Sequence, residues 1–139
     1  MTKPRRSSST SSRETTIKLV DPFDLPDWLG TKPVTWHATS PLQESAHVSG
    51  EMAWSDERQP VDLLAVDAAY PAPVCPESVR RTAHQSWQFG QVALVDVDGG
   101  VAAAVPGTGF DANLVCEAIR RIAKAVGAPE GNYTVLIAL

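Results

Sequence analysis

From Val34 onward the chain alternates apolar and polar residues with a period of two. Val34, Trp36 and Ala38 are interleaved with Thr35, His37 and Thr39, and beyond Pro41 the residues Ala46, Val48, Gly50, Met52 and Trp54 are interleaved with Ser45, His47, Ser49 and Glu51. Successive side chains of a strand point to opposite faces, so this pattern predicts two half-buried strands. The polar stretch SDERQP reads as a turn, and VDLLAVDAA after it is almost continuously apolar, as expected of a strand covered on both faces. QVALVDVDGGVAAAVPG predicts two further strands joined at Asp98-Gly99, a pair that accepts the positive φ angles of a tight hairpin turn. YTVLIAL closes the chain as a last strand.

Two segments carry helical spacing instead. PESVRRTAHQSWQFG starts at Pro76, suited to a first helical position, and stops at Gly90, with Val79, Ala83 and Trp87 as its apolar stripe. The second is punctuated at both ends. Asp111 is an N-cap, Phe110 before it can staple to Val115, and Gly127 supplies the left-handed stop. Between them Val115, Ile119, Ile122 and Val126 form the buried face, with Glu117, Arg120, Arg121 and Lys124 opposite.

The N-terminal part is different. Residues 1–15 are Ser-, Thr- and Arg-rich and offer too little apolar surface to offset the entropy of ordering them, so they read as a disordered basic tail. Residues 16–139 read as a single domain. Ile17 to Val20 is a short strand or extended lead-in, and in DPFDLPDWLG the residues Pro22 and Pro26 limit any helix to about one turn. Phe23, Leu25, Trp28 and Leu29 are expected to plug against the domain.

Strands separated by short turns dominate, and no repeated strand-helix-strand unit stands out. The expected class is therefore α+β: a mainly antiparallel sheet of five to six strands with two helices packed on one face, a two-layer sandwich. The order of elements is similar to that of small secretion-chaperone-like and profilin-like α+β domains, a likeness of fold order without a shared motif.

Charge narrows the range of partners. The net charge is −4, and the first fourteen residues carry +3 of it through Lys3, Arg5, Arg6 and Arg13 against Glu14, which leaves −7 on the body. An acidic body disfavours nucleic acid and anionic lipid, both of which require clustered cations. No apolar run is long enough for a membrane span, and no apolar core follows the basic N-terminus as in a secretory leader. Cys75 and Cys116, the only two cysteines, are expected to be reduced thiols of a cytoplasmic protein.

Candidate chemistry is sparse. The PGTGFD turn, with Gly107, Thr108 and Gly109 before a helix start, has the ingredients of an anion site but lacks both the spacing and the lysine of a phosphate-binding loop. His37, His47 and Glu51 fall on the polar sides of their strands, which is too little for a metal site without motif spacing. Cys75 stands where a helix start would favour its thiolate, but no nucleophile elbow and no Cys-His signature accompanies it. The tail sequence Arg5-Arg6-Ser7-Ser8 is readable by a kinase. Arg80, His84 and Trp87 share one edge of the first helix, where a cation, an imidazole and an aromatic ring can present a partner epitope.

No catalytic residue, metal or cofactor is assigned from the sequence. The expected function is a non-enzymatic protein-interaction module, adaptor- or chaperone-like, binding a protein partner or itself. The alternative is a small ligand-binding domain or enzyme centred on the PGTGFD turn.

Overall fold

The computed structural model describes residues 17–42, 46–68, 75–97 and 99–137. The basic tail with its serines, Pro73 and Asp98 of the hairpin turn lie outside the described residues. In chain order the strands are β1 (Ile17–Leu19), β2 (Val34–Ala38), β3 (His47–Val48), β4 (Gly50–Trp54), β5 (Glu57–Ala65), β6 (Ala93–Val97), β7 (Gly100–Val105) and β8 (Tyr133–Leu136). The helices are α1 (Trp28–Thr31), α2 (Glu77–Gln88) and α3 (Ala112–Ala125), and a single 3-10 turn spans Pro22–Asp24.

The class is α+β, but the sheet is larger and more mixed than the sequence suggested. Its order is β1-β6-β7-β5-β4-β2-β8, with β3 also on β5. Five pairings are antiparallel, whereas β5 with β7 and β2 with β8 are parallel. Parallel neighbours cannot be joined by a tight hairpin: the chain passes through α2 and β6 between β5 and β7, and α3 carries it over the sheet to β8 on the far side of β2. The SDERQP stretch is also corrected. Only Ser55 and Asp56 form the turn, and β5 already begins at Glu57, with Pro60 in the strand opposite Glu51.

The helices do not share one face. Val115, Ala118, Ile119 and Ile122 of α3 pack with Trp36, Met52, Val61, Leu63, Ala103 and Val105. Val79 and Ala83 of α2 pack with Leu64, Val95, Ala102 and Ala104. Alternate residues of one strand point to opposite faces, so Leu63 and Leu64 assign α3 and α2 to opposite sides of β5. Each continuous apolar run has two covers as a result. On the α2 side the far half of the sheet is a polar surface, where Thr35, His37, Glu51 and Arg58 are not buried.

Helix ends follow local chemistry. Asp111 accepts from the Leu114 N–H at 2.8 Å, and Phe110 and Val115 are both buried in the α3 cluster. At the other end Gly127 has φ +80°, with Ala128 N–H on Ala123 O at 2.9 Å and Gly127 N–H on Lys124 O at 3.1 Å. Both bonds belong to a Schellman stop. In the N-terminal plug Leu29 is 1% exposed and Leu25 and Trp28 pack on the core, but Phe23 is 84% exposed and takes no part.

Candidate functional site

α3 runs above the edge of the sheet formed by β8, and between them lies a groove of about 680 Å³. Its walls are Cys116, Ile119 and Ala123 of α3 and Tyr133 and Val135 of β8, with Arg120, Lys124 and Glu130 among the charged residues that line it. The walls follow from two periodicities. Residues 116, 119 and 123 recur at helical spacing, and residues 133 and 135 share one face of a strand. Tyr133 is fixed by donating its hydroxyl hydrogen to the Leu29 carbonyl of α1, and burial pushes its phenol pKa up, so the ring stays neutral.

Among the described residues the outer edge of β8 is open. Val34 N–H donates to Asn132 O at 3.0 Å, and the parallel register pairs Val34 with Tyr133. N–H and C=O of one strand residue point to the same side, so Asn132, Thr134 and Leu136 turn theirs to β2. Tyr133 and Val135 turn theirs outward, where among the described residues no strand pairs with them. The same two residues therefore offer side chains to the groove and backbone groups to the edge.

A second cluster centres on Asp67, just beyond the end of β5. Arg80 Nε donates to its Oδ1 at 2.6 Å, His84 Nε2 lies 2.8 Å from Oδ2, and Gly107 N–H donates to Oδ2 at 2.8 Å. Asp67 N–H returns a bond to Gly107 O at 2.8 Å. This carboxylate ties α2 and the PGTGFD turn to the strand end. Partial burial pushes its pKa up, but hydrogen bonds from His84, Gly107 and Arg80 outweigh that and hold it below the ordinary carboxylate value.

The epitope residues are thus divided. Arg80 and His84 meet on Asp67, while Trp87 is partly buried against the α3 cluster with the Arg121 guanidinium 3.6 Å from its ring centroid. Arg121 also donates to the carbonyls of Trp87 and Gln91 at 2.8 and 2.9 Å. At the PGTGFD turn, Gly107 spends its N–H on Asp67, and a polar recess is lined by Thr108, Gly109, Phe110 and Asp111. Two carboxylates, Asp67 and Asp111, already accept from donors there.

His37 and Glu51 are register partners with 3.2 Å between them, and His47 lies 2.9 Å from Asp62. The histidines are drawn to different carboxylates, and no group of three metal-ligating side chains occurs among the described residues. Both cysteines are free. Burial, reinforced by Asp67, pushes the Cys75 thiol pKa up, which reverses the helix-start argument for a thiolate. No helix among the described residues is long and apolar enough to cross a membrane.

Neither Asp67 nor the groove stands out in the sequence. An aspartate after an apolar strand is a weak signal for the first. For the second, the small residues Cys116, Ala123 and Gly127 on one side of a helix were the available hint, but only strand order makes β8 an edge. No family model matches the chain, and no curated protein or solved structure matches it either. The likeness of element order to profilin-like and secretion-chaperone-like domains therefore carries no functional argument.

Proposed function

We propose that this chain is a non-enzymatic protein-interaction module working through the groove between α3 and β8. The observation that carries the reading is the coincidence, at Tyr133 and Val135, of an apolar groove wall with an open strand edge. An edge strand is a template for pairing with another chain, and proteins that expose one usually shorten, charge or cover it. Here the edge lies beside an apolar recess, an arrangement suited to strand addition. The titratable clusters support the same reading from the other side. Arg80 and His84 are engaged by Asp67, and His37 by Glu51, so neither cluster converges on the groove. A ligand site at the PGTGFD turn draws less support, because an anion there would face the carboxylates of Asp67 and Asp111.

The test is to fill the groove and compare partner capture. Ala123→Trp places an indole between the walls, and His84→Ala serves as a control on the other cluster. With circular dichroism confirming both folds, quantitative capture from native lysate should lose the same proteins with Ala123→Trp and keep them with His84→Ala. Identical capture by wild type and Ala123→Trp would overturn the reading.

A further inference from the structure

We infer that the occupant of the groove is an extended, acidic segment of a partner protein, added as a strand to the open edge of β8. This rests on the interaction reading above and goes on to specify the partner's chemistry. The outward N–H and C=O groups of Tyr133 and Val135 are matched by the backbone of an extended chain and not by a helix, whose own ladder consumes those groups. Side chains of an added strand alternate in direction, so every second one enters the groove against Ile119, Ala123 and Val135. Apolar residues at those alternate positions fit the walls.

The charge at the rim selects the rest. Of the charged residues that line the groove, Arg120 and Lys124 are cations and Glu130 is an anion, one positive charge in excess on a chain whose net charge is −4. Glu117 binds Arg120 at 2.6 Å and Arg121 at 2.7 Å. Lys124 is exposed and forms no ion pair among the described residues, so a carboxylate on the incoming strand is the group that completes it. A second copy entering across a two-fold axis would bring the same excess of cation to the same place, which favours a different, acidic partner over self-association.

A displayed library of random short peptides, panned on the full chain, tests this directly. Selected sequences should alternate apolar residues and carry an acidic residue. For the best of them as a synthetic peptide, Lys124→Glu should weaken binding by about threefold to fivefold, the size expected of an exposed ion pair. A peptide with lysine in place of its acid should regain that loss on the Lys124→Glu variant. Ala123→Trp should abolish binding, as should a bulky maleimide attached to exposed Cys116 of the already folded protein, a modification that bypasses any folding defect. Selection of amphipathic helical sequences, selection of nothing, or indifference to Lys124→Glu would overturn the assignment. So would sedimentation of the chain as a dimer that Ala123→Trp dissociates. If any of these occurs while lysate partners are still lost on Ala123→Trp, the occupant is wrong and the interaction reading stands; if lysate capture is also indifferent to the groove, both fall.

Discussion

The indole of Trp36 lies so close over Gly50 that a Cβ on that glycine would sit 2.2 Å from the ring carbon Cζ2. The same ring donates from Nε1 to the Val61 carbonyl at 2.8 Å, while Gly50 N–H turns to Asp62 Oδ1 at 3.2 Å. Trp36 is fully buried and joins β2, β4 and β5 at the place where the chain passes from β3 to β4. Gly50→Ala must displace this ring, an overpacking expected to cost about 1–3 kcal/mol. Trp36→Phe leaves a buried carbonyl without its donor as well as a gap, and about 2–3 kcal/mol is expected. Urea unfolding midpoints check both. An unchanged midpoint for Gly50→Ala would mean the indole is free to move away.

Asp111→Ala should cost about 1 kcal/mol, because the Leu114 N–H loses its side-chain acceptor in the first turn of α3. Since α3 forms one wall of the groove, the same variant should loosen any ligand held there. Denaturant midpoints that coincide with wild type would contradict the capping role.

Asp67→Asn should cost about 1 kcal/mol, discounted for the exposure of Arg80 and His84. The sign with pH follows from the lowered pKa of Asp67 in the folded chain: its contribution is complete above the ordinary aspartate value of about 4 and is lost as pH falls through the folded value. Glu117, lowered by hydrogen bonds from Arg120 and Arg121, acts in the same direction. The stability gap between wild type and Asp67→Asn, measured by unfolding at a series of pH values, should be constant near neutrality and close in acid. A gap that widened in acid would contradict the assignment.

Thiol titration separates the two cysteines. Cys116 is exposed, whereas Cys75 is 8% exposed with its thiol pKa raised. One thiol of the native protein should react quickly with a disulfide reagent and the second only on unfolding. Loss of the fast phase in Cys116→Ser would identify it, and two fast thiols in the native chain would contradict the burial of Cys75.

Local structure was largely legible in the sequence, because its causes are local. The Asp111 cap, the Gly127 stop and the alternation through Trp36 and Met52 each depend on a few neighbouring residues. Topology was not legible, since it depends on which strands meet. Yet the run from Val61 to Val66 already required a cover on each face, and placing both helices on one side conflicted with it. The site was least legible. Lys124 reads as part of the outer face of a helix and Cys116 as a small packing residue at the border of its buried face, until β8 takes its place at the sheet edge beside them. Likewise, Arg80 and His84 read as a free epitope until the end of β5 brings Asp67 to both.

The groove is tested most directly by amide hydrogen exchange, read residue by residue in the full chain with and without a captured protein or selected peptide. The N–H groups of Tyr133 and Val135 point outward and should exchange fast in the free protein, while those of Thr134 and Leu136, which the register turns to β2, should already be slow. Occupancy should slow Tyr133 and Val135 selectively, and Ala123→Trp should remove the effect. Binding that left both amides fast and instead altered exchange around Arg80 and His84 would contradict the account and transfer the interaction to α2.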